Sequence, residues 1–400
     1  MRILFLIAAL VATAARADVV TDWNVRADAL ATEIRRPPHD HAATLALVHV
    51  AIFESLNAIE RRYQPYALDL VADRNTSREA AAASAAHAVL LALYPDKTAD
   101  LDALLARTLN ATPAGAAKDR AVLLGRKAAS DFLALRAADG VASRESWRPI
   151  TQPGVYIPTV IPVATTVATQ KTWVLSSAAQ VRPAPPPSLV SEPWTRDLNE
   201  IREIGGAASA MRTAEQTHIA KFWFLTGPRT YNPIIQHVAQ FKKLDLLDCA
   251  RLYALTSVAA ADAFIAVFDA KYAFNFWRPV TAIRNADQTG NPATPRDANW
   301  LPLGETPMHP EYPCAHCISS AAVATVLVGL AGDDVGEITL TSATAPGVTR
   351  RWKRISEYRD EVSNARIWAG FHYRFSTEVG KDMGRQIGEL TLASQMARRK

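Results

Sequence analysis

Cysteine is scarce in this chain, three in 400 residues, which excludes a scaffold held together mainly by disulfides. Long apolar runs are missing too: beyond the N-terminus nothing reaches the roughly 18 uninterrupted apolar residues of a membrane span. Charge of one sign is not in excess. Lys and Arg number 44 against 39 Asp and Glu, a formal +5 that falls to +3 without Arg2 and Arg16. Such a balance leaves no nucleic-acid footprint. In the N-terminal region, up to residue 140, no run alternates apolar and polar residues as a sheet would. His39, His41, His49 and Glu54 match no zinc spacing and read as surface or locally hydrogen-bonded groups.

What is present is helix. At 49% hydrophobic residues the chain can bury a large core. Met1-Arg2, the apolar ILFLIAALVA and Ala15-Arg16-Ala17 read as a signal peptide over 1–17, so an exported, periplasmic or secreted chain is expected to start near Asp18. Residues 18–140 then show helical periodicity over 23–34, 41–59, 77–93, 98–109 and 114–138. Residues 141–195 are crowded with proline, and helix cannot persist there. Trp147, Tyr156, Trp173 and Trp194 tie this segment to the helices, where it either covers a substrate entrance or simply wraps the body. The periodicity resumes in 196–400, with helices predicted over 194–211, 213–224, 232–241, 247–271, 318–331, 358–368 and 377–397. A polar loop over 285–300, a short β-like stretch over 337–342 and a frayed basic tail at 398–400 complete the reading. The expected class is all-α: two packed helical bundles joined by a long Pro-rich segment.

Chemistry concentrates in three pieces of the second region. Lys271 and Arg278-Pro279 are seven residues apart, two turns on one face if the helix continued. Pro313-Cys314-Ala315-His316-Cys317 turns into the apolar run ISSAAVATVLVGLAG, so the first amides of a buried helix are free to meet an anion. Arg366 and His372 follow, with Gly370 between them as the break that lets both converge. Asp262 and Asp269 lie on the helix that delivers Lys271, where they neutralise cations, cap or face solvent. A basic stripe is the default for an isolated Lys and Arg pair. Phe274, Phe276 and Trp277 instead surround this pair with apolar bulk, and buried cations need partners.

In order and spacing these pieces resemble the vanadium-dependent haloperoxidase and PAP2-type acid phosphatase superfamily, most strongly over 215–385. That family shows Lys, six residues, Arg-Pro; then Pro-Ser-Gly-His; then Ser-Arg, five residues, His, three residues, Asp. Here Cys314 stands for the Ser and Ala315 for the Gly, while Ala365 and Ser376 replace the flanking Ser and the final Asp. The resemblance implies the two-bundle fold and an oxyanion held by Lys271, Arg278, Arg366 and the 314–315 turn. His372 would be the vanadium ligand, or the nucleophile in a phosphatase, and His316 the acid–base. His309, seven residues before His316, stands where bromoperoxidases often carry His, which favours bromide or iodide over chloride. The implied cofactor is vanadate, with hydrogen peroxide and halide as substrates; a phosphatase would take a phosphoester and no vanadate. No oligomeric state is readable.

The cysteines leave other readings open. Cys314-x-x-Cys317 with an interposed His resembles a thiol–disulfide motif, although the chain lacks the βαβ context. A non-catalytic anion binder is a further reading. In a regular helix Cβ atoms three residues apart are about 5–6 Å apart, too far for a disulfide. If Cys314 lies ahead of the first turn, a Cys314–Cys317 bridge can form; otherwise two reduced thiols pack at the helix start. Cys249 reads as a small buried hydrophobe.

Overall fold

The computed structural model describes residues 18–225 and 227–399; the expected signal peptide, 1–17, lies outside the described residues. The first bundle holds α1 (Val19–Glu33), α2 (Pro38–Glu60), α3 (Arg78–Leu93), α4 (Thr98–Ala111) and α5 (Ala116–Arg136). Their starts follow local chemistry. Asp18 caps α1 by accepting from the Thr21 N–H at 2.9 Å, Pro38 occupies the first position of α2, and Ser77 caps α3.

The second bundle holds α6 (Glu192–Ile204), α7 (Ala214–Phe222), α8 (Pro228–Phe241), α9 (Leu246–Phe274), α10 (Pro279–Arg284), α11 (Ala315–Ala331), α12 (Ile355–Trp368) and α13 (Arg374–Ser394). The helix expected over 194–211 stops at Ile204, where Gly205 packs directly against Gly370. Helix α11 lies along α13 at backbone distance. A Cβ at Gly384 would collide with the Ile318 carbonyl oxygen, and one at Gly380 with that of Cys314. The close approach therefore depends on these two glycines.

Between α11 and α12 the chain forms an antiparallel hairpin, β1 (Asp334–Ser342) and β2 (Ala345–Arg354), longer than the stretch expected and with an unforeseen second strand. Its second strand carries few apolar residues: Trp352 is buried, while the neighbouring Arg350 pairs with Glu361 at 2.6 Å. Apolar alternation is thus too weak to read. The basic tail is not frayed up to Arg399, whose amide donates to the Arg62 carbonyl at 2.9 Å and whose Nε donates to that of Tyr63 at 2.8 Å.

One continuous apolar core joins the bundles, running from Trp23 and Phe53 through Phe132 to Tyr253, Val323 and Ile387. Helices α2 and α9 are long and apolar enough to cross a membrane, yet 89% and 94% of their apolar windows are buried inside the fold. They pack against each other as its central layer.

The Pro-rich segment contains one 3₁₀ turn, Val167–Thr169, and is strapped to α9. The Asp262 carboxylate accepts from the amides of Trp173, Val174 and Leu175 at 2.8, 2.7 and 2.8 Å, and Asp269 takes both forks of Arg182 at 2.7 Å. Neither aspartate neutralises the site's cations or simply faces solvent; both hold the segment in place. Arg136 lies 4.0 Å from the Trp173 ring centre and completes the clamp.

Candidate oxyanion site

Helix α9 does not carry both of its expected cations. It ends at Phe274, and Asn275 takes a left-handed conformation (φ 51°) that turns the chain. Arg278 then stands at the N-cap of α10, so the turn brings it beside Lys271, not a shared helical face. Arg366 lies in the last turn of α12, and Gly370 (φ 78°) reverses the chain so that His372 returns to it. A side chain at Gly370 would be strained and would meet the Gly205 carbonyl.

The cations are buried. Lys271, Arg278 and Arg366 are each at most 1% exposed. Lys271 Nζ donates to the Pro310 and Glu311 carbonyls at 2.9 and 2.7 Å. Arg278 donates from Nη2 to His309 Nδ1 at 2.9 Å and from Nη1 to the Phe371 carbonyl at 3.1 Å, with His372 Nε2 at 3.3 Å. Arg366 donates to the Trp223 carbonyl at 2.7 Å and leaves Nε without a partner among the described residues. Burial lowers the affinity of all three for their protons: Arg278 to about 10, Arg366 to about 9, and Lys271 well below its usual range.

One carboxylate answers them, and the sequence reading had not singled it out. Glu311 is fully buried and accepts from His372 Nδ1 at 2.8 Å and from the Tyr373 amide at 3.1 Å. Burial pushes its carboxyl up to about 7, against the pull of Lys271 and Arg278. The family pattern directs attention to the last position of the third block, here Ser376. The carboxylate comes instead from the 307–313 turn, two residues from Pro313. An acidic residue amid TPMHPEYP was the available signal. His372 is held well below the usual imidazole range by burial and then by the three cations. It is therefore neutral, with its Nδ1 hydrogen on Glu311 and its Nε2 lone pair on the side of Arg278.

His316 stands in the first turn of α11, where Nε2 donates to the Leu225 carbonyl at 3.2 Å; burial and Arg366 keep it neutral. Cys314 caps this helix, accepting from the Cys317 amide at 3.1 Å, and is joined to Cys317 in a disulfide. A disulfide sulfur has no hydrogen to give, so Cys314 cannot replace the family's hydroxyl donor at the oxyanion. Cys314 atoms also take the Cys317 and Ile318 amides, which leaves those of Ala315 and His316 as the first-turn donors. Cys249 is free and buried.

Arg366, His309, His316 and His372 all face a cavity of about 930 Å³. His39, expected as a surface or locally hydrogen-bonded group, also lines it. His49 instead bonds Asn24 at 2.9 Å inside the core, and Glu54 accepts the Ala67 and Leu68 amides at 2.6 and 3.0 Å. Among the described residues no cluster of His, Cys, Asp and Glu is arranged to hold a metal cation. The donor set fits an oxyanion: three buried cations, one buried carboxylate, a guanidinium nitrogen unpartnered among the described residues and the first-turn amides of α11.

Comparison with known proteins agrees. Residues 251–399 match the family model of the VCPO second helical-bundle domain. Over 149 residues the chain is 32% identical to the vanadium chloroperoxidase of Curvularia inaequalis, which covers 30% of this chain. The match spans about a quarter (24%) of that relative's length. A solved structure described as the first bacterial vanadium-dependent iodoperoxidase superposes with a TM-score of 0.81 at 24% identity, covering 95% of this chain and 98% of that one. A bacterial vanadium-dependent chloroperoxidase superposes at 0.70 and 17% identity, covering 89% and 91%. The chain thus has the fold of these bacterial vanadium-dependent peroxidases throughout and, over 251–399, a sequence that matches the VCPO second helical-bundle domain.

Proposed function

We propose that the protein is a vanadate-dependent haloperoxidase that oxidises bromide or iodide with hydrogen peroxide. The observation that carries this reading is the charge balance around His372: among the described residues Lys271, Arg278 and Arg366 are buried against one buried carboxylate, that of Glu311. A buried excess of positive charge is costly without a counter-ion. A compact oxyanion supplies one.

His372 would hold vanadium through Nε2, with Glu311 fixing the tautomer. Arg278 and Arg366 offer paired planar donors and Lys271 a point charge, while the Ala315 and His316 amides add the helix N-terminus. When bound, vanadate supplies a Lewis-acidic centre at which hydrogen peroxide is activated towards halide. His316, neutral and facing the cavity, is placed to take a proton from incoming peroxide and return it to departing oxygen. His309, hydrogen-bonded to Arg278 and facing the same cavity, is the candidate for tuning halide preference. Export to a periplasmic or extracellular space accords with the Cys314–Cys317 disulfide, which persists best in an oxidising compartment.

The same donors fit phosphate, and a neutral histidine oriented by a carboxylate also suits a phosphohistidine nucleophile. One experiment separates the readings. Mature protein is loaded with orthovanadate and tested for peroxide-dependent bromination and iodide oxidation, and vanadate-free protein for phosphomonoester hydrolysis. Peroxidase turnover only with vanadate supports the proposal; hydrolysis with no peroxidase turnover transfers the site to the phosphatase reading.

A further inference from the structure

A second cavity, of about 860 Å³, shares the 304–308 segment as a common wall with the first. Three stretches of chain enclose it: residues 156–160 of the Pro-rich segment, α10 with the residue that caps it, and the loop 301–308. Each is pinned by backbone hydrogen bonds. The Tyr156 amide donates to the Asn275 carbonyl at 2.8 Å, the Ala207 amide to that of Leu301 at 2.7 Å and the Asp297 amide to that of Ile283 at 3.1 Å. The hollow is therefore part of the fold, and its volume is that of a site for an organic ligand. The Pro-rich segment walls both cavities, with Val163 and Ala164 in the first and Ile157 and Val160 in the second.

Much of the lining is apolar, and Val160 and Leu301 stay 49% and 55% exposed at its edge. Apolar surface left open around a hollow marks a contact site. Against it stands a cation without a counter-charge. Arg284 lines the cavity, half-buried, and spends its Nε on the Trp300 carbonyl at 2.8 Å. Among the described residues its two Nη groups meet neither a hydrogen-bond acceptor nor a carboxylate. Thr281 lies three residues earlier, beside Arg284 on α10, and its hydroxyl has no partner among them either. Glu305, the one carboxylate in the lining, is exposed. Arg278 also borders this cavity, but each of its nitrogens already donates, Nε to the His309 carbonyl at 2.8 Å and the others to His309 and Phe371. It adds positive charge here and leaves the hydrogen bonding to Arg284.

We propose that the second cavity binds an amphipathic organic acid, its carboxylate on the free Nη edge of Arg284 beside Thr281 and its hydrocarbon part along Ile157, Val160 and Leu301. The planar edge of a guanidinium meets a carboxylate with two parallel hydrogen bonds. A bare inorganic anion would satisfy Arg284 and leave the apolar wall uncovered. An uncharged hydrocarbon would cover the wall and leave the guanidinium without a counter-ion. A molecule with a charged head and an apolar body does both. The inference rests on this cavity alone and stands whether the oxyanion site takes vanadate or phosphate.

The test is calorimetric titration of octanoate into mature protein in saturating phosphate, which keeps the carboxylate off the oxyanion donors. One site is expected. 1-Octanol, with the same chain length and no charge, should bind about tenfold or more weakly, and octanoate should lose as much on Arg284→Gln, the loss of one hydrogen bond to a charged group. Val160→Trp, at an exposed position that lines only the second cavity, should weaken octanoate by filling the mouth; Val163→Trp, which lines only the first, should bind it as the native chain does. Circular dichroism identifies any variant that fails to fold, and the other of Arg284→Gln and Val160→Trp then decides. No binding of octanoate, equal binding of octanol, or native-like binding by Arg284→Gln overturns the proposal. So does a loss in Val163→Trp without one in Val160→Trp, which seats octanoate in the first cavity. No arm of the test depends on peroxidase turnover, so its failure and that of the haloperoxidase reading are told apart.

Discussion

His372 can present Nε2 only because Glu311 takes its Nδ1 hydrogen, and both are buried where no water replaces a lost partner. Glu311→Gln keeps the shape but removes the charge and offers a donor where an acceptor is needed. Vanadate affinity, followed by equilibrium dialysis, should fall by about 10–100-fold, the usual cost of disturbing the group behind a metal-binding histidine. Unchanged affinity would remove Glu311 from the site. The two cavity histidines should separate by role. His372→Ala should lose tight vanadate attachment, whereas His316→Ala should keep it and lose turnover by about 10²–10⁴-fold. Equal loss of binding in both would mean the roles are assigned wrongly. Lys271, Arg278, Arg366, His316 and His372 were legible as candidates from type and spacing. Glu311 was not, because no spacing rule links a residue before Pro313 to one after Gly370.

At the scale of the element, α11 begins one residue after Cys314, and this non-helical position brings the two sulfurs together. Unfolded, unreduced mature protein should therefore show one reactive thiol, from Cys249, and three after reduction; three without reduction would exclude the bridge. The strap on α9 carries a pH signature. Burial raises the Asp262 carboxyl from 3.8 to about 6 despite three amide donors. A raised folded-state value means stability fully present below the unfolded value and lost as pH climbs through the folded one. The rise corresponds to about 2.4 kcal/mol between pH 4 and pH 7. Urea unfolding of the native chain and Asp262→Asn at both pH values checks it: the native chain should lose ground to the variant by about that amount as pH rises. A constant difference would show that the carboxyl ionises no differently in the folded state.

At the scale of the whole molecule, one apolar core runs through both bundles, with α2 and α9 packed at its centre. Neither bundle covers its own apolar face. The chain should therefore unfold in a single cooperative step by calorimetry, with calorimetric and van't Hoff enthalpies equal; two resolved transitions would show that the bundles are independent. The all-α class was legible because helical periodicity repeats through every long segment. The hairpin was not, since its second strand is stabilised by ion pairs such as Arg350–Glu361 more than by alternating apolar residues.

The sequence by itself singled out which side chains are candidates for the chemistry, since charge, imidazole and a helix start are properties of residues and short spacings. It also determined that the Pro-rich stretch ahead of α6, which starts at Glu192, is not α-helical, because proline lacks the amide that a helix interior requires. Only the tertiary structure decided what those residues do together. The turn at Asn275, the reversal at Gly370 and the buried Glu311 set the geometry of the oxyanion site. The hold of Met308 and Tyr272 on Val163 sets the Pro-rich segment into the cavity wall beside it. Each of these joins residues distant in the chain, and such contacts are chosen by packing and by the cost of leaving buried polar groups unpaired, which no local pattern records.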